Sequence, residues 1–119
     1  MNPSRTDRSS RGGDAVVDRV LLAVEQLPPG RVVTYGDLAE LVGTSARRVG
    51  RVMSQHGHEV CWWRVVNASG ELPVDGARDH WQAEGIALAA NGRACALRRH
   101  RADLVALARD YARAGGGAG

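Results

Sequence analysis

At 119 residues the chain has the length of one domain, and a hydrophobic content of 44% with no Phe permits one modest core. No apolar run approaches the length of a membrane span, and the N-terminus lacks the apolar stretch of a signal peptide, so the expectation is a soluble cytoplasmic protein without a membrane partner. The net charge is +3 with a sequence pI of about 9.5, and all 16 basic residues are arginine.

A GC-rich coding sequence accounts for the missing lysine. It does not account for placement: between Val42 and His58 the charged residues are Arg47, Arg48 and Arg51, with no acid among them. Arginine's planar, permanently charged fork suits phosphate and stacked bases, so this stretch points to nucleic acid. Cys61 and Cys95 are expected to be free thiols, and His56 and His58 near Cys61 fit no zinc spacing. Neither a metal nor another cofactor is expected.

Residues 1–13 are polar and rich in Ser, Arg, Asp and Gly, which predicts a disordered tail. The folded domain is expected over residues 14–112, followed by a Gly/Ala-rich tail over 113–119. Helical spacing puts Val16, Val20, Leu21, Val24 and Leu27 on one face of a helix over 15–27. Pro28-Pro29-Gly30 stops it, and residues 31–33 are extended. Thr34 is suited to cap the next helix, with Asp37 completing a capping box. That helix runs over 35–42 with Leu38, Leu41 and Val42 apolar, and Gly43 ends it.

Thr44 or Ser45 then caps a second helix reaching about Gln55, with Ala46, Val49 and Met53 inward. Two short helices joined by a tight Gly-containing turn form a helix-turn-helix. Gly50 inside the second helix costs stability relative to Ala, which close approach of another backbone (a packed helix or DNA) would explain. Residues 63–66 read as an extended piece or short turn, 71–76 as a loop, and 77–84 as a helix ended by Gly85. Asn91-Gly92 predicts a hairpin between 86–88 and 93–97. A last helix over 101–112 would bury Leu104, Val105, Leu107 and Ala108. The fold class is therefore α+β: a mostly helical, winged-helix-like DNA-binding domain with a helix-turn-helix and a small β-hairpin.

Four motifs occur in order. They are Pro29-Gly30-Arg31-Val32-Val33-Thr34-Tyr35-Gly36-Asp37-Leu38-Ala39, Ala46-Arg47-Arg48-Val49-Gly50, Val60-Cys61-Trp62-Trp63-Arg64-Val65-Val66 and Glu84-Gly85. Together they resemble the O6-alkylguanine-DNA alkyltransferases, whose active-site segment reads Pro-Cys-His-Arg-Val-Val. The resemblance covers roughly Val20 to Leu88. Trp62 stands at the position of the alkyl-accepting cysteine, as in the non-enzymatic alkyltransferase-like subfamily. An indole offers no nucleophile comparable to a thiolate, so binding without transfer is implied.

The resemblance also implies roles. Tyr35, next to the Thr34 cap, would crowd the phosphate 3′ to the damaged nucleotide and help rotate it out. Arg47 would enter the stack through the minor groove and fill the gap. Arg48 and Arg51, on either side of Gly50, read as phosphate contacts or as plain solvated charges. Trp62 would hold the extruded base, recovering part of a flipping cost of a few kcal/mol through contact worth about 1–3 kcal/mol. Trp63, Arg64, Val65 and Glu84 would shape the pocket.

Three departures stand out. Trp63 replaces the family's His, so Glu84 loses its usual partner. Cys61 replaces a proline. The loop 70–84 is short, with Asp75 where related proteins place a base-facing basic residue, leaving Arg78 as a substitute. The implied partners are duplex DNA containing O6-alkylguanine and nucleotide excision repair proteins, for a monomer associated with a bacterial nucleoid. Two alternatives remain open from the residues alone: an active alkyltransferase using Cys61, and a winged-helix transcriptional regulator.

Overall fold

The computed structural model describes residues 15–115. The expected N-terminal tail, and all but the first residues of the expected C-terminal one, lie outside that range. Helix α1 (Ala15–Glu25) buries Val17, Val20, Leu21, Ala23 and Val24. It ends before Pro28-Pro29, because the residue preceding a proline is pushed out of helical geometry. Val17 lies in the core, whereas Val16 is only partly covered.

Strand β1 (Val33–Thr34) leads directly into α2 (Tyr35–Val42), and Ser45 caps α3 (Ala46–His56). Strand β2 (Val65–Val66) pairs with β1 in parallel, Val33 beside Val65 and Thr34 beside Val66. Parallel partners need a crossover, and the helix-turn-helix supplies it. Alternation along these short strands divides the interior. Val33 and Val65 join the core formed with α1, α2 and α3, whereas Val32 and Val66 join a second cluster with Trp81, Ile86 and Cys95. In α3, Val49 is fully buried and Val52 nearly so; Ala46, expected inward, is exposed.

Helix α4 (Ala77–Ala83) lies where periodicity placed it. The Asn91-Gly92 turn forms, with Ala89 N–H donating to Ala94 O at 2.8 Å, but its arms share a single antiparallel bridge, Leu88 with Cys95. The second arm is drawn elsewhere: Cys95 N–H donates to Gly70 O at 2.9 Å. The ordered two-strand pairing is thus parallel and next to the helix-turn-helix.

The expected final helix begins three residues late, and a turn that the sequence did not show precedes it. One turn, α5 (Leu97–His100), comes first; Arg101 and Ala102 then run beside Val32, with Val32 N–H on His100 O and Ala102 N–H on Val32 O, both at 2.9 Å. Asp103 restarts the helix by accepting from Val105 and Ala106 N–H, giving α6 (Leu104–Arg113). The new start sets the inward stripe at Leu107 and Tyr111; Leu104, Val105 and Ala108, expected to be buried, are exposed. Among the described residues no helix is long and apolar enough to cross a membrane.

Candidate nucleic-acid interface

The N-terminus of α2 is tightly built. Thr34 Oγ1 accepts from Asp37 N–H at 3.0 Å, and the Asp37 carboxylate accepts from Thr34 N–H at 3.0 Å. Arg101 adds a charged fork to the same carboxylate. Burial alone would raise the Asp37 pKa, but Arg101 and the two bonds to Thr34 outweigh it and hold the acid below its ordinary range. Tyr35 is the first residue of this helix. Partial burial raises its phenol pKa, so it stays a neutral hydrogen-bonding group.

Helix α3 presents its arginines outward. Arg47 and Arg51 are exposed, and no side-chain partner engages either among the described residues; Arg48 is partly covered. At Gly50 an added Cβ would meet no protein atom within 4 Å. A packed helix therefore does not explain this glycine, and the space it leaves belongs to a cavity.

Between α3 and β2 the chain makes two 3₁₀ turns, Gly57–Glu59 and Trp62–Arg64. At three residues per turn, neighbouring side chains diverge by about 120°. Trp62 therefore lines the cavity of about 490 Å³ together with Tyr35, Gly50, Met53, Val65 and Leu72. Gly57 lets the turn close against it, since a Cβ there would lie 3.3 Å from the Cβ of Trp62. Trp63 turns the other way. It stacks on His80 with centroids 3.7 Å apart and planes 7° from parallel. Trp62 stands edge-on to both rings, at 5.6 Å from Trp63 and 5.5 Å from His80.

Behind the two tryptophans sits a closed polar hub. Glu84 accepts from Gly30 N–H at 2.9 Å, Trp63 Nε1–H at 2.9 Å, and Arg64 Nε at 3.0 Å and Nη2 at 2.5 Å. Arg64, only 8% exposed, also donates to Leu27 O at 2.8 Å. Burial pushes the Glu84 pKa up, but the bonds from Arg64, Gly30 and Trp63 prevail and leave it lowered. With these donors in place, Glu84 is a structural anchor.

The sequence-derived residues thus divide. Tyr35, Gly50, Trp62 and Val65 meet at one cavity, Thr34 fixes the adjacent helix end, and Arg47, Arg48 and Arg51 lie on α3. Trp63, Arg64 and Glu84 form the supporting hub. Arg78 is not brought to the Trp62 cavity: it donates to Gly92 O and borders a separate groove of about 710 Å³ shared with Asp75 and Arg93. Cys61 is partly exposed and is not among the residues lining the Trp62 cavity. No group of three or more potential metal ligands occurs among the described residues. His80 and Gly57 were missed, because a stack across seventeen positions and a close approach in a turn leave no periodic trace; Met53, expected only as an inward residue of α3, also lines the cavity.

Residues 15–97 match the family profile described as "6-O-methylguanine DNA methyltransferase, DNA binding domain". The chain belongs to this family. Two relatives are each named "DNA base-flipping protein". The one from Vibrio parahaemolyticus is 30% identical over 97 residues, spanning 74% of this chain and 96% of that protein. The one from Escherichia coli K12 is 36% identical over 97 residues, spanning 74% of each. "Alkyltransferase-like protein 1" of Schizosaccharomyces pombe is 41% identical over 64 residues, covering 50% of this chain and 58% of that protein. A crystal structure of S. pombe Atl1 in complex with damaged DNA containing O6-carboxymethylguanine superposes with a TM-score of 0.65 at 28% identity, over 76% of this chain and 96% of that one. The mostly helical α+β architecture and the family resemblance read from the motifs both hold.

Proposed function

We propose that this protein binds O6-alkylguanine in duplex DNA, extrudes the damaged nucleotide and holds it against Trp62 without transferring the alkyl group. The observation that carries this is the position of the Trp62 ring. It lines a cavity of about 490 Å³, within the range of small-ligand sites, at the family's nucleophile position. Tyr35 and Gly50 border the same space, and Gly50 shares helix α3 with Arg47, Arg48 and Arg51.

The α3 arginines supply phosphate attraction, and Arg47 can fill the stack vacated by the extruded base. Tyr35, at the positive end of α2, can press on the adjacent phosphate. Extrusion costs a few kcal/mol, and contact with an aromatic face returns about 1–3 kcal/mol of it. Transfer has no means here. Trp62 carries no thiolate, Trp63 no imidazole base, and Glu84 is occupied by Arg64, Gly30 and Trp63. A protein that grips a lesion it cannot erase acts as a monomeric marker for nucleotide excision repair. The names of the base-flipping relatives and the Atl1–DNA complex support the lesion-binding and base-flipping part of this reading.

Titrating the protein with matched duplexes, one holding O6-methylguanine, tests it. Tighter binding of the damaged duplex is expected, and Arg47→Ala should remove most of that preference while leaving the thermal melt within about 0.5 kcal/mol of wild type. Equal affinity of the wild-type protein for both duplexes would count against the proposal.

A further inference from the structure

Just beyond the family-matched segment, which ends at residue 97, lies a charge cluster that the lesion site does not use. The chain reads Leu97-Arg98-Arg99-His100-Arg101, and Arg98, Arg99 and Arg101 are exposed, as is Arg31. Backbone pairing brings these residues together. Arg31 Nη1 donates to Arg99 O at 3.2 Å, and Val32 lies between His100 and Ala102 through two bonds of 2.9 Å. Asp37 answers Arg101. No carboxylate pairs with Arg31, Arg98 or Arg99 among the described residues, and Asp103 is engaged in capping α6.

The positive field is felt locally. Burial first, then the charges of Arg99 and Arg31, push the His100 pKa down. His100 Nε2 accepts from Ala87 N–H at 3.0 Å, which suits its neutral form. A cluster of like charges brought together by backbone pairing is suited to a polyanion.

Its position selects which polyanion. Arg31 is four residues from Tyr35, at most about 14 Å of chain, and Arg101 is anchored to Asp37 in the first turn of the same α2 helix. Phosphates recur every ~3.4 Å of rise along one strand. We propose that Arg31, Arg98 and Arg99, tied to α2 through the Arg101–Asp37 pair, form a second phosphate-binding surface that follows the duplex backbone away from the damaged nucleotide. This rests on the DNA-binding reading above and extends the footprint past the helix-turn-helix. Phosphate contacts position a duplex without reading it, so the surface adds affinity for DNA of any sequence.

The test is a salt series between 50 and 200 mM, with damaged and undamaged duplexes, on wild type, the double variant Arg98→Ala/Arg99→Ala and the double variant Arg98→Lys/Arg99→Lys. For the alanine pair, the slope of log K against log salt should fall by about 0.9 for each phosphate that is no longer neutralised. Both duplexes should weaken by the same factor, keeping the preference for damage intact. The lysine pair should stay near wild type. A wild-type slope in the alanine pair overturns the second surface while leaving the lesion reading standing. A lysine pair as weak as the alanine pair, or selective loss of damage preference, also overturns it, since the arginines would then act through structure or at the lesion. Absence of damage preference in the wild-type protein would instead remove the reading on which the surface rests.

Discussion

Trp62 and Trp63 are adjacent in sequence and opposite in situation. Trp62 lines an open cavity bordered by Tyr35 and Gly50. Trp63 is stacked on His80 and hydrogen-bonded to Glu84, inside a network in which every buried side-chain polar atom of the described residues has a partner. One 3₁₀ turn separates a surface available for recognition from one committed to stability. The difference teaches that two adjacent indoles need not share one role: backbone geometry assigns the roles.

The largest expected effect lies on the closed side. Glu84→Ala leaves Arg64 buried without its counter-charge and should cost about 3–5 kcal/mol in urea denaturation. A loss under about 1 kcal/mol would show that the hub is not the support described here. Acid sharpens the same point. The folded pKa of Glu84 lies below its ordinary 4.5, so on acidification the unfolded chain takes up the proton first. The hub's contribution is therefore whole above about that pH and is lost as pH falls through the folded value. Asp37 shifts in the same direction from 3.8. Glu84→Gln should flatten this acid limb of a pH series, and an unchanged limb would break the assignment.

On the open side, Trp62→Ala should weaken binding of damaged duplex by about 1–3 kcal/mol, with a smaller stability change than Glu84→Ala. A variant that loses stability but keeps its preference for damage would reverse the contrast between the two rings. Next comes His80, which links them: His80→Ala should cost about 0.5–1.5 kcal/mol of stability by calorimetry, and His80→Phe should recover most of it. The smallest effect is at Gly50. Gly50→Ala should stabilise the fold by up to about 1 kcal/mol, because a Cβ meets nothing there, while weakening DNA binding; unchanged binding would show that the duplex does not approach this point.

Helices α1 to α4 were legible because their caps, stops and apolar spacing are local. Thr34 with Asp37 and the pair Pro28-Pro29 specify their ends within a few residues. The tail end of the fold was not legible in the same way. The turn at 97–100 was missed and the last helix was started at 101 instead of 104, because nothing in the spacing records that His100 and Ala102 bond to Val32, about seventy positions earlier in the chain. The parallel β1–β2 pair is likewise a long-range contact between two-residue segments. At the site, the family-like spacing singled out Tyr35 and Trp62, which the fold brings to one cavity, and Glu84, which lies in the hub behind it. It could not show that Glu84 would be taken up by Arg64 and Trp63, or that Arg78 would turn to Gly92. Those outcomes depend on side-chain direction, which spacing does not encode.

The claim that the cavity grips without reacting is tested most directly by holding the protein at saturating O6-methylguanine duplex and then following protein mass and lesion content in the same sample. The account predicts a stable complex, an unchanged protein mass and full recovery of the damaged base. A gain of one methyl group on the protein, at Cys61 or elsewhere, with matching loss of the lesion would contradict it.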